Sequence, residues 1–239
     1  MIISRTPFRI SLFGGCSDYP SWYRENGGAI IGAAINKYCY VICDYIKWGN
    51  QSKIVYSQME YADSNNNINH PAVRACLSYL NITKPIEIYY IADLPARSGM
   101  GSSSAFVVGL LNSLHTLTET SGVLSLEAIH LEQNILKENV GSQDQYLCSM
   151  GGLRYIEFGE TIQPYEQWSN GIQEYLILVD TGIKRVASNI AGSYNFDKTV
   201  MKDMMGITQE ALKSYLAKDY MRFGKLLNAT WRLKCLLSP

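Results

Sequence analysis

The chain has 239 residues, and Lys plus Arg equals Asp plus Glu at 21 each, so the formal net charge is zero. A nucleic-acid binder normally carries a basic excess or stripe, which this balance argues against. Apolar residues make up 47%, enough to bury a core in one large domain or two small ones.

No apolar run is long enough to span a bilayer, and Met1 to Arg9 has no apolar stretch or cleavage site behind its arginines, so a soluble cytoplasmic protein is expected. The six cysteines and three histidines are scattered without a CxxC pair, which predicts neither a zinc site nor a disulfide frame.

The first third reads as strands. Phe8 to Phe13 alternates apolar and polar residues, Lys37 to Trp48 is rich in Tyr, Val, Ile and Cys, and Lys53 to Met59 and Ile86 to Ala92 follow. Cys39 and Cys43 are expected on one strand face as packed thiols. Tyr61 to Asn69, with its asparagines, reads as a solvated loop. A short helix is expected at Pro71 to Leu80.

From Ser102 the period changes. Ala105, Val108, Leu111, Leu114 and Leu117 recur at helical spacing through Thr118. A second helix is expected from Ser125, read as its N-cap, to about Glu138. Gly152 to Phe158 and Tyr175 to Val179 read as strands, and Thr208 to Leu216 and Tyr220 to Leu237 as long helices. Strands first and helices later give an α+β pattern rather than a regular alternation. The chain stops at Leu-Leu-Ser-Pro239 with no strand after the last helices, which raises the expectation of a fragment.

Leu94-Pro-Ala-Arg-Ser-Gly-Met-Gly-Ser-Ser-Ser-Ala105 is the most informative segment. It follows a strand and opens a long amphipathic helix. Gly99 and Gly101 allow unusual dihedrals and close backbone approach. The serines at 102 to 104 add hydroxyls where a helix start carries unsatisfied N–H groups and the positive end of its dipole. Polyphosphate is the natural guest. There is no Gly-Lys-Ser/Thr, so the charge must be met by a metal ion and by a cation elsewhere.

Two further constellations stand out. Arg5-Thr-Pro-Phe-Arg-Ile-Ser-Leu-Phe-Gly-Gly-Cys-Ser-Asp18 runs along the first strand into a turn, where Asp18 is read either as an acceptor for sugar hydroxyls or as an Asx turn. Glu132 lies in the second helix, and Gly141-Ser-Gln-Asp144-Gln in the loop after it. Phosphoryl transfer needs a metal ligand and a residue that deprotonates the nucleophile, and these two carboxylates suit those tasks.

With these segments the chain resembles the GHMP kinase superfamily. Pro95-Ala-Arg-Ser-Gly-Met-Gly-Ser-Ser-Ser-Ala105 is close to its Pro-x-x-x-Gly-Leu-Gly-Ser-Ser-Ala motif, Pro7 to Arg9 and Gly15 to Asp18 match its N-terminal motif, and Gly141 to Gln145 resembles the loop of its catalytic aspartate. The resemblance implies a GHMP kinase-like fold, with an N-terminal ATP-binding domain over 1–160 built on a mixed sheet with helices, and a helix-rich, incomplete C-terminal domain over 161–239. It implies ATP and Mg²⁺ as cofactors, with ATP on Pro95, Arg97, Ser98, Gly99, Met100, Gly101, Ser102, Ser103 and Ser104. Ser103 and Glu132 would ligate the metal, Asp144 would be the base, and Arg9 would stabilise the nucleophile or the phosphoryl group.

Within the superfamily the closest likeness is to the D-glycero-D-manno-heptose 7-phosphate kinases, carried by Arg5 to Tyr23, Gly27 to Tyr38 and Asp180 to Ser188. It implies a sugar phosphate bound at Gly14, Gly15, Cys16, Ser17 and Asp18, with its phosphate near Lys184 and Arg185. Thr181 to Arg185 has the character of a helix start with two cations, a fitting second anion site. L-Fucokinase domains share parts of these segments and remain a competing reading, as does a non-catalytic sensor on the same fold. The family's third, glycine-rich motif near the C-terminus has no counterpart, again the expectation for a truncated chain. No nucleic-acid or membrane partner is expected, and a homodimer is allowed.

Overall fold

A computed structural model describes residues 1–96, 98–165, 171–179, 182 and 196–237. The chain divides into two compact units, each drawn from several stretches. The first comprises Met1–Phe8, Ile35–Glu138 and Asp144–Met150; the second comprises Arg9–Ala34, Asn139–Gln143 and Gly151–Pro239. Two long strands, β1 (Ile2–Phe13) and β2 (Gly28–Tyr45), pair with each other and contribute to both.

In the first unit the strand order is β4–β3–β5–β2, with β3 at Ser52–Val55, β4 at Met59–Ala62 and β5 at Ile86–Ala92. β3 runs parallel to β5 (Ile54 opposite Ile88) and antiparallel to β4, and β5 runs antiparallel to β2 from Cys39–Ala92 to Tyr45–Ile86, so the sheet is mixed. Cys39, Val41 and Cys43 are fully buried on one face of β2, as their spacing of two requires. Helix α2 (Pro71–Tyr79) opens on Pro71 at its first position, and Glu60 accepts the N–H groups of Asn69 and His70 just before it.

Helix α3 (Ser102–Thr118) is the core element of this unit. Leu110, Leu111 and Leu114 on it are fully buried. It lies tight on β1: Ser4 Oγ donates to the Gly109 carbonyl at 2.7 Å, and a Cβ on Gly109 would come within 2.8 Å of Thr6 Oγ1. The helix therefore needs glycine there, and its start is held rigidly at the end of the glycine loop.

The second unit pairs the first part of β2, Gly28 to Ala33, antiparallel with β6 (Leu153–Phe158), and β6 with β7 (Ile162–Pro164). It also holds α1 (Pro20–Asn26). Its core joins Phe13, Ala29, Ile31, Leu153 and Tyr155 to Ala211, Tyr215 and Phe223 of two long helices, α6 (Lys198–Leu216) and α7 (Tyr220–Leu237). Phe13 and Phe223 meet edge to face at 4.8 Å. No helix among the described residues is long and apolar enough to cross a membrane.

Several elements differ from expectation. The second helix is α4 (Leu124–Ile129) running into a π-helical turn, His130–Ile135; Ser125 lies inside α4, buried, and caps nothing. The loop Tyr61 to Asn69 is partly built: β4 includes Tyr61, and the buried Asn65 accepts from Ser52 Oγ at 2.6 Å and donates to the carbonyls of Ile82 and Lys84. α6 begins well before Thr208 because Asp197 accepts the N–H groups of Thr199 and Val200. Ile172–Tyr175 is a 3₁₀ turn, and Leu176 to Val179 carries no strand. The apolar run there has strand character, but among the described residues no strand pairs with it.

Candidate active site

The first unit gathers the expected phosphate loop, Glu132 and Asp144. β5 ends at Ala92, and Asp93 pins the exit by accepting the Tyr38 N–H at 2.8 Å and returning its own N–H to the Tyr38 carbonyl. Leu94 and Met100 anchor the loop by packing on the core, while Pro95 and Gly99 stay exposed. Gly99 (φ +78°) and Gly101 (φ +73°) both take left-handed conformations that side chains disfavour. Gly101 is the N-cap of α3 and offers no side-chain acceptor, so the first N–H groups of the helix are left for another partner. Ser98 Oγ is buried and has no hydrogen-bond partner among the described residues. Arg97 lies outside the described residues.

The three serines separate by facing. Successive residues on a helix turn by about 100°, so only one of three neighbours can face a given element. Ser102 is half-buried, Ser103 is exposed, and Ser104 is buried and reaches Glu132, its Oγ 3.0 and 2.9 Å from the two carboxylate oxygens. Ser104, rather than the expected Ser103, therefore shares a site with Glu132.

Glu132 is fully buried in the π-helical turn, a deviation that commonly marks functional positions. Its second hydrogen-bond partner is the side-chain amide of Gln145. Gln145 belongs to α5 (Gln143–Met150), in whose first turn Asp144 sits half-buried. The sequence had placed Asp144 in a loop. Burial pushes the Glu132 carboxyl from 4.5 up to about 8; the Gln145 and Ser104 hydrogen bonds work against that rise, and the charges of Asp144 and Glu138 add to it.

A carboxylate this buried, whose partners among the described residues are neutral donors and other carboxylates, favours a cation. Among the described residues no cluster of three or more His, Cys, Asp or Glu could hold a metal ion alone. Mg²⁺ uses one or two protein oxygens and takes the rest from phosphates and water, and the Ser104 and Glu132 oxygens could supply the protein's share. Gln145 Oε1 is a further buried polar atom, without a hydrogen-bond partner among the described residues.

In the second unit, the Gly14 to Asp18 turn is closely built. Gly14 (φ +74°) lies so near Ala29 that a Cβ would overlap its carbonyl oxygen. Cys16 takes φ +85°, a strained conformation for a non-glycine residue that no sequence signal reveals. Ser17 Oγ donates to the Gly14 carbonyl at 2.7 Å and accepts the Ala29 N–H at 3.1 Å. Asp18 is 1% exposed; its two oxygens accept the N–H groups of Cys16 (3.2 Å) and Gln143 (3.3 Å), and its carbonyl accepts that of Ser142 (2.9 Å). Asp18 thus ties the turn to the loop that opens α5, and a side chain at Gly141 would overlap its carboxylate. Arg9 lies half-buried on β1. Lys184 and Arg185 lie outside the described residues.

Residues 67–152, which hold the glycine loop, Glu132 and Asp144, match the GHMP kinases N terminal domain. Over this segment the chain is similar to GHMP kinases. A D-glycero-alpha-D-manno-heptose 7-phosphate kinase of Campylobacter jejuni is 26% identical over 268 residues, covering 99% of this chain and 78% of the relative. An L-fucokinase/L-fucose-1-P guanylyltransferase of Bacteroides fragilis is 23% identical, covering 97% of this chain and 30% of that larger protein. Among solved structures, a D-glycero-D-manno-heptose 1-phosphate kinase from Bacteroides thetaiotaomicron superposes with a TM-score of 0.79 at 21% identity, over 98% of this chain and 79% of its own, which establishes the shared α+β fold. These GHMP kinase relatives support a phosphotransferase that takes ATP as donor.

Proposed function

We propose that the chain is an ATP-dependent sugar-phosphate kinase that phosphorylates the anomeric hydroxyl of D-glycero-D-manno-heptose 7-phosphate, giving the 1,7-bisphosphate for nucleotide-heptose and surface polysaccharide synthesis in the cytoplasm. One observation carries the reading. The buried Glu132 carboxylate is hydrogen-bonded both to Ser104 at the start of α3 and to Gln145, the neighbour of Asp144, so a phosphate-binding helix start and a candidate base are referenced to one group.

In this mechanism the triphosphate lies along Pro95 to Ser104, held by the backbone N–H groups that follow Pro95 and by the open start of α3. Asp144 accepts the proton of the anomeric hydroxyl. That oxygen attacks the terminal phosphorus, and the bond from phosphorus to the bridging oxygen breaks, with ADP leaving. Arg9 stabilises the transferring group, and Lys184 and Arg185 are among the cations that meet the phosphate the acceptor already carries. Ser104 and Glu132 would hold Mg²⁺, which when bound neutralises charge on the phosphates.

The likeness to the Bacteroides fragilis protein supports a second reading, in which the acceptor is L-fucose. ADP release measured with each sugar separates the two. The heptose reading expects kcat/KM at least ten-fold higher for heptose 7-phosphate than for L-fucose; equal or better use of L-fucose would overturn it.

A further inference from the structure

Three polar groups from distant stretches of the second unit converge over the bare backbone of Gly15. A Cβ placed there would meet Ser11 Oγ at 3.2 Å, Lys234 Nζ at 3.3 Å and Gln143 Nε2 at 3.9 Å. Ser11 comes from β1, Gln143 from the first position of α5 and Lys234 from the last turn of α7. The missing side chain at Gly15 leaves a small cradle, and what surrounds it is an ammonium, an amide N–H and a hydroxyl.

The chemistry of the cradle is that of a site for a phosphorylated, hydroxylated ligand. Lys234 is half-buried, and among the described residues no carboxylate forms an ion pair with it. Gln143 is 7% exposed, yet its Oε1 has no hydrogen-bond partner among the described residues. A buried acceptor left unmet is destabilising, so the amide calls for a donor such as a sugar hydroxyl, while its N–H group and the ammonium call for anionic oxygen. A lysine in a last helical turn also favours the helix dipole. That accounts for a positive charge at this end of α7, but not for its reach to Gly15.

We propose that Lys234 is a substrate-binding residue: with the Gln143 side chain it grips a phosphate group of the acceptor above Gly15. The inference rests on the kinase reading only in naming the acceptor; the anion site itself stands on the geometry.

Calorimetric titration of the chain saturated with MgADP, which fills the glycine loop, tests it with two probes, inorganic phosphate and D-glycero-D-manno-heptose 7-phosphate. The expected result is binding of both by the parent chain, at least ten-fold weaker binding of both by Lys234→Met, and recovery to within about three-fold by Lys234→Arg, with the melting temperature and MgADP affinity of both variants unchanged. Phosphate bound through Lys234 without binding of the heptose phosphate would support the anion site and overturn the heptose assignment. Lys234→Met binding inorganic phosphate as tightly as the parent, or a parent chain that binds none at tens of millimolar, would overturn the site.

Discussion

Two buried carboxylates, one in each unit, show how the same chemical group serves different ends. Asp18 accepts main-chain N–H groups from its own turn and from the start of α5, 125 residues away. Such donors cannot turn aside, so Asp18 is a fixed joint. Glu132 is surrounded by side chains, Ser104 and Gln145, and by the charge of Asp144. Those donors can reorient toward a ligand, and the carboxyl is unstable as an anion until a cation arrives. The lesson is that burial alone does not mark a functional acid; the kind of partner does. Backbone partners indicate architecture, and adjustable side-chain partners beside a second carboxylate indicate chemistry.

The comparison can be broken at several points. The largest effect is expected at Asp144, the neighbour that gives Glu132 its chemical setting. Asp144→Asn should lower kcat by roughly 10²–10⁴-fold with the melting temperature little changed, as ADP release and a thermal scan would show. Near-parent turnover would remove Asp144 from the reaction.

Glu132 comes next. Between pH 4.5 and about pH 8 the folded, metal-free chain keeps a proton on Glu132 that the unfolded chain has released. Stability from this group is therefore full below pH 4.5 and lost as pH rises toward 8. Glu132→Gln, which mimics the protonated form, should flatten that part of the stability curve and be more stable than the parent at pH 8, by on the order of 3 kcal/mol in chemical denaturation. It should also lose activity. An unchanged slope would mean that Glu132 is already compensated.

Asp18→Asn should behave in the opposite way. An amide group would face a backbone N–H, so a loss of roughly 2–3 kcal/mol is expected in denaturation at neutral pH, with no gain at any pH. The smallest contrast is between neighbours on α3. Ser104→Ala should lower kcat/KM about ten-fold, whereas Ser103→Ala should change it less than about three-fold. Equal effects would mean that facing on the helix does not decide the role.

Much of the first unit was legible in the sequence, because its elements are defined by local signals. β5 and α3 run as read, one by its β-branched and aromatic content and the other by its period and the glycines before it. α5 was read as a loop because it is short and its opening is tied to Asp18 from far along the chain, a contact that local signals do not reveal. The hydrogen bond of Ser104 to Glu132 was not legible, since a motif gives spacing along the chain but not the facing on a helix. The buried turn at Cys16 and the reach of Lys234 to Gly15 arise only from tertiary structure. The strand character of Tyr175 to Val179 was legible, but a strand also needs a partner, which propensity does not supply.

Phosphorus NMR of the purified chain with MgATP and D-glycero-D-manno-heptose 7-phosphate tests the central claim most directly. The account predicts a new anomeric-phosphate signal growing in step with ADP, and neither in Asp144→Asn. ADP formation without an anomeric-phosphate signal, or the same signal growing at the parent rate in Asp144→Asn, would contradict it.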